Sequence, residues 1–217
     1  MRRSNWIKCF ALTLAAMLMS SVTAQTQFIN GTHFKRLKNP QVVASGSKIE
    51  VIEFFSYACP HCRDLEEFLG PWIKKVPADV SFTRVPVMFY PQWINLAKVY
   101  FTLEGLQRDD LSAKVFFAVH TSGLKLHEEK IFFEWIVNNG LDPKKTQEMW
   151  NSFAINSKMS RAKALAVGYE LDGVPTLFVD GKYKLQPTAE GQGSVAHKNA
   201  PAVLDFLIAK ARDERKK

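Results

Sequence analysis

A chain of 217 residues, 47% hydrophobic and 23% charged, has the composition of an ordinary globular protein of one or two domains, which excludes a disordered or low-complexity polymer. Its formal net charge of +8 is spread along the sequence with no motif-bearing basic stripe, so a nucleic-acid binder is excluded. The one basic cluster, residues 212–217, reads as a solvated helix end.

Residues 1–24 read as a cleavable secretory signal peptide. Arg2, Arg3 and Lys8 form a positive start, residues 9–19 a short apolar run, and residues 20–24 supply the small side chains of a cleavage site. The run is too short to span a membrane. Cys9 precedes it and does not end it, which argues against a lipid attachment site. Removing the leader takes away three of the 29 basic residues and none of the 21 acidic ones, leaving a net +5. It also removes Cys9, so the exported chain keeps one pair, Cys59 and Cys62. Export places that pair where structural disulfides persist. Closing so small a loop restricts the unfolded chain very little, however, so the pair is reactive and not a staple.

Along the chain, residues 28–40 form a lead-in with a short strand at 33–37, followed by a turn-rich stretch to Ser47. Residues 49–55 are nearly continuous in β-branched and aromatic types, the pattern of a strand buried on both faces. A helix follows, with Cys59 in the N-cap region and Pro60 at the first helical position, where a missing N–H is harmless. Leu65, Phe68, Leu69, Trp72 and Ile73 recur at helical spacing and mark its buried face, and Pro71 is expected to kink it. Residues 80–89 form the next strand, giving a βαβ unit with a right-handed parallel crossover.

Four amphipathic helices are expected at 93–106, 111–120, 128–137 and 144–153, an all-helical insert whose aromatic residues form its core. A helix at 160–171 rejoins the sheet. Residues 176–179 form a strand, Asp180-Gly181 is a two-residue hairpin signal, and 182–185 returns. A helix at 201–210 closes the chain. The expected architecture is α/β: a mixed sheet flanked by helices, residues 25–90 and 160–217, interrupted by a helical domain at 91–159.

The chemistry concentrates in Cys59-Pro60-His61-Cys62. A structural zinc site needs four ligands, usually from two such pairs, and here there is one pair. A c-type haem site needs His directly after the second Cys, where Arg63 stands. Dithiol redox chemistry remains. At a helix start, unpaired N–H groups and the positive helix end stabilise a Cys59 thiolate, and a charged His61 adds to this. Stabilising the thiolate stabilises the reduced state and makes the disulfide an oxidant. Cys62, inside the first turn, is expected to be less exposed and to resolve the mixed disulfide. Glu53 is an acid in a buried strand, open to two readings: a proton-transfer group beside the thiols, or an ion-pair partner of Arg84. His33, His120, His127 and His197 are assigned no role.

The CPHC after a strand, Val174-Pro175-Thr176 before a later strand, the acid six residues before Cys59 and the helical insert together resemble the thioredoxin superfamily, and within it the DsbA-type thiol:disulfide oxidoreductases. The resemblance runs from about residue 28 to the C-terminus. It implies a thioredoxin-like fold with Pro175 in a cis bond beside the CxxC. It also implies that the Val174 backbone is available to an extended substrate peptide, and that Glu53 is the family's buried acid. Arg84 falls where the family carries a lysine, while Pro71 and residues 89–93 look particular to this branch. A substrate groove near Cys59 would be lined by Tyr57, Val174, Thr176 and Tyr90.

By the same resemblance the protein is a monomer in the periplasm of a Gram-negative bacterium. It oxidises reduced exported proteins without metal or organic cofactor and is reoxidised by a membrane-bound DsbB-type oxidase. Isomerase and reductase are rival activities. A periplasmic isomerase would carry a dimerisation domain, and a reductase favours a less oxidising dipeptide. A chaperone-like peptide binder is the non-enzymatic alternative, against which the intact CPHC with its Val-Pro argues.

Overall fold

Strand β2, Ile49–Phe55, is buried at all seven positions and forms the axis of the molecule. The computed structural model describes residues 28–188 and 195–216; the expected leader lies outside the described residues. Strand β1 is Lys35–Arg36 and β3 is Val80–Pro86. Strands β4, Thr176–Val179, and β5, Tyr183–Leu185, form the hairpin. The five-stranded sheet runs β1-β5-β4-β2-β3, with β2 parallel to β3 and antiparallel to β4. Two short strands, β6 at Pro187–Thr188 and β7 at Val195–Ala196, pair separately.

The alternation of side chains along the strands divides the core in two. Ile49 and Val51 of β2, with Leu177 and Val179 of β4, pack with Leu65 and Leu69 on one face. Ile52, Phe54 and Phe178 point the other way, into the core shared with the helical insert. Helix α1, Pro60–Ile73, covers the first face, and Leu65 and Leu69 are wholly buried there. Full burial of each such side chain contributes about 1.5–3 kcal/mol. Pro71 sits in the last turn of α1, two residues before its end, so the lost N–H disturbs only the helix terminus.

The insert contains α2, Pro91–Gly105; α3, Ser112–His120; α4, Glu129–Asn138; and α5, Pro143–Trp150. Helix α6, Phe153–Gly168, starts seven residues earlier than expected from the sequence. The Ser152 hydroxyl accepts the Ile155 N–H at 3.3 Å and caps it. The expected boundary at residue 160 therefore falls inside a continuous helix.

Helix α7, Ala200–Arg215, is five residues longer at its end than expected, and its basic tail is not simply solvated. The Arg212 guanidinium donates to both Asp79 carboxylate oxygens at 2.6 and 2.8 Å, and Arg215 grips the buried Asp180. These contacts tie the helix end to the β2–β3 connection and to the hairpin turn.

The hairpin turn requires its glycine. Asp180 and Gly181 both have positive φ, 54° and 62°, and a Cβ on Gly181 would lie 2.2 Å from the Gln41 carbonyl oxygen. Gly181→Ala is expected to cost about 2–3 kcal/mol in urea unfolding. A loss under about 1 kcal/mol would show that the Gln41 segment yields without penalty.

Candidate active site

Cys59 is delivered to the helix start by the chain leaving β2. Its N–H donates to the Ser56 carbonyl at 3.0 Å, and the Ser56 hydroxyl accepts the Ala58 N–H at 3.2 Å. Cys59 is the N-cap of α1, with extended backbone at φ −87° and ψ 116°, and its Sγ accepts the Cys62 N–H at 3.4 Å. The two cysteines are present as free thiols, Cys59 6% exposed and Cys62 fully buried. The Cys59 Sγ also lies 3.5 Å from the Val174 carbonyl oxygen, and the Val174–Pro175 peptide bond is cis. Segments more than a hundred residues apart thus meet at one sulfur.

The electrostatics separate the two thiols. The Cys59 pKa is lowered to about 7, first by the Cys62 side chain as hydrogen-bond partner, against the opposing effect of burial, and then by the backbone N–H groups of Cys62 and His61. The Cys62 thiol is pushed well up by burial, by its bond to Cys59 and by the Cys59 charge, with Glu53 adding to the rise. His61 therefore reaches the thiolate through its main-chain N–H. Its imidazole is on the exposed side of the helix start, edge-on to His197.

Both sequence readings of Glu53 find a basis in the structure. Arg84 donates from Nε to the Glu53 Oε2 at 2.7 Å and from Nη2 to Glu66, so one guanidinium bridges two carboxylates. Glu53 is only 1% exposed, and burial raises its pKa while Arg84 lowers it and Glu66 raises it. A buried acid with a raised pKa is able to hold a proton for exchange with a neighbouring thiol.

With this geometry in place, comparison with known proteins is decisive. Residues 78–197 match the family described as DSBA-like thioredoxin domain. The thiol:disulfide interchange protein DsbA of Bordetella parapertussis is 34% identical over 206 residues, which is 94% of this chain and 97% of that protein. DsbA of Pseudomonas aeruginosa is 35% identical over 95% of this chain and 97% of its own. The chain belongs to the DsbA family. The crystal structure of Pseudomonas aeruginosa DsbA superimposes with a TM-score of 0.80, at 36% identity, over 88% of this chain and 97% of that one. The oxidoreductase NmDsbA1 from Neisseria meningitidis gives 0.76 at 25% identity, covering 87% and 96%. The chain accordingly has the thioredoxin-like fold with a helical insertion and is a thiol:disulfide oxidoreductase.

Within the site, two of the residues expected to line a substrate groove are placed otherwise. Tyr57 is 2% exposed, packed edge-on against Phe55 and Phe116, and its hydroxyl donates to Ser112 Oγ at 3.2 Å. Thr176 is fully buried; its hydroxyl donates to the Gly173 carbonyl at 2.7 Å and accepts from Gln186. Thr176 therefore braces the loop that carries the cis bond and is not open to a peptide. Val174 is half-buried, Pro175 is buried, and Tyr90, 56% exposed, packs edge-on against Trp93.

Three contributors were not evident from sequence. Glu66 is the second acid on Arg84. Ser112 and His120 lie on α3, where Ser112, Phe116 and His120 recur every four residues and form one stripe against Tyr57. His120 Nε2 is 2.8 Å from the Tyr57 carbonyl oxygen, so the insert holds the peptide just ahead of Cys59 at both ends of one side chain. The i, i+4, i+8 spacing was visible in the sequence, but its partner was not.

Proposed function

We propose that this protein works as a dithiol oxidase of newly exported proteins in the periplasm of a Gram-negative bacterium. The observation that carries this reading is the inequality of the two sulfurs: Cys59 near neutral pKa at a helix start, Cys62 sealed beneath it with a raised one. In the oxidised protein, a substrate thiolate attacks Cys59 Sγ, forming a substrate–Cys59 bond and breaking the Cys59–Cys62 bond. The two bonding electrons leave with Cys62, a strongly basic thiolate that must be protonated. Glu53, whose pKa burial raises, is the group placed to supply that proton. A second substrate thiolate then attacks the substrate sulfur of the mixed disulfide, and Cys59 departs as a stable thiolate.

The His61 side chain at the helix start adds to the stabilisation of that thiolate. The Val174 backbone beside the cis Pro175 takes an extended substrate segment, and exposed Tyr90 borders it. Arg84 and Glu66, but not Glu53 itself, line a cavity of about 820 Å³ that brings solvent to the charged bridge. The cysteine pair is itself the two-electron carrier, so neither metal nor organic cofactor takes part. The protein acts as a monomer, and a membrane-bound DsbB-type oxidase returns the pair to the disulfide.

Equilibration with glutathione is the direct test. The disulfide is expected to be reduced by glutathione far more completely than an ordinary protein disulfide, and the thiolate absorbance of reduced protein is expected to titrate near pH 7. An equilibrium constant in the range of a stable structural disulfide, or titration in the ordinary thiol range, would refute the oxidase reading in favour of a reductase.

A further inference from the structure

Two histidines meet at the start of α1. His197 opens a single 3₁₀ turn, His197–Asn199, which leads into α7 and packs against α1. It is 4% exposed, and among the described residues its Nε2 has no hydrogen-bond partner. Burial pushes the His197 pKa down, against the opposing effects of Asp64 on α1 and of the Pro187 backbone, while His61 pushes it further down. Its centroid lies 6.1 Å from that of His61 at 63° between the planes, within the range of an edge-to-face aromatic pair.

A buried polar atom without a partner is rare in folded proteins, and an apolar ring of similar shape would avoid its desolvation cost. If His197 were only packing, the orphaned nitrogen would be a pure loss. We propose that His197 is a positioning residue for His61: a buried ring, edge-on to the His61 imidazole, that holds it at the helix start beside Cys59. The proposal rests on the reading that the His61 side chain contributes to the oxidising power. It goes beyond that reading by assigning the control of His61 to a residue 136 positions away in sequence.

The experiment is a double-mutant cycle read through the glutathione equilibrium. His197→Phe keeps a ring and removes both nitrogens, while His197→Asn keeps a donor for Pro187 and removes the ring. Each is expected to shift the equilibrium about fivefold toward a less oxidising disulfide, the size of one polar contact. In a His61→Phe background the same substitutions are expected to have no further effect. Circular dichroism and urea midpoints confirm that the variants compared are folded, and the pair provides an alternative should one of them fail to fold. A shift below about twofold in the folded variants, or an equal shift with and without His61, overturns the proposal. If His61→Phe shifts the equilibrium while the His197 variants do not, only the His197 assignment falls. If His61→Phe itself is silent, the role of the His61 side chain falls too, and the His197 assignment with it.

Discussion

Cys59→Ser is expected to abolish oxidative refolding of a reduced substrate protein, leaving only the uncatalysed rate, whereas Cys62→Ser, given a disulfide-bearing substrate for its Cys59 thiolate to attack, is expected to accumulate a mixed disulfide. The asymmetry follows from geometry. Cys59 Sγ is at the N-cap, in contact with the Cys62 N–H and next to the Val174 carbonyl, while Cys62 is fully buried one turn further on. Only Cys59 can be reached by an incoming thiolate, and only Cys59 is a good leaving group near neutral pH. Losing it removes both the electrophile and the leaving group. Losing Cys62 removes the step that breaks the mixed disulfide from the enzyme side, so the adduct persists.

The pH dependence has a definite sign. A thiol with a depressed folded-state pKa stabilises the reduced protein above the ordinary thiol pKa, and this stabilisation is lost as pH falls through about 7. The measurement is refolding yield together with mass analysis of trapped adducts. Residual catalysis by Cys59→Ser, or stable adducts on Cys62 instead of Cys59, would reverse the assignment.

The sequence was most informative where one residue type has one structural use. Strand β2 was legible because a strand covered on both faces reads as a near-continuous apolar run, here broken only by Glu50 and Glu53, and its boundaries agree with the structure. The start of α1 was legible because a proline at the first helical position and a side chain able to cap leave few alternatives. The Asp180-Gly181 turn was legible because the required φ values belong to those residue types.

Failures came where nearness in sequence was taken for exposure, or where partners are remote. Tyr57 and Thr176 flank the site in sequence, yet both are buried and use their hydroxyls internally, on Ser112 and Gly173. Helix α6 was started late because the preceding helix was expected to run on to Phe153, which masked Ser152 as a cap. Glu66 carried no signal in the sequence. Its role depends on Arg84, which only the parallel pairing of β2 and β3 brings beneath α1.

That bridging arginine carries the other large expected effect. Arg84→Met should lower stability by about 3–5 kcal/mol at about pH 8, because it strands two carboxylates, one of them fully buried, without their cation. The sign of the pH dependence separates this from simple loss of packing. Burial already holds the Glu53 pKa up, and Arg84 is the group that pulls it down. Removing Arg84 therefore raises it further. An acid whose folded-state pKa exceeds its unfolded value favours folding below the unfolded value, and that contribution is lost as pH rises through the folded one. The deficit of Arg84→Met relative to the parent should thus shrink as pH falls and Glu53 takes up a proton in the folded state. Methionine replaces much of the aliphatic stem, so little of the loss is ascribable to a void; the guanidinium contacts over Phe55 and Phe82 go with the charge. Urea unfolding of the reduced proteins as pH falls measures the difference directly. A deficit that stays constant with pH would mean that the carboxylates find other partners, and that the Glu53–Arg84–Glu66 bridge does not govern the charge of the acid beneath the thiols.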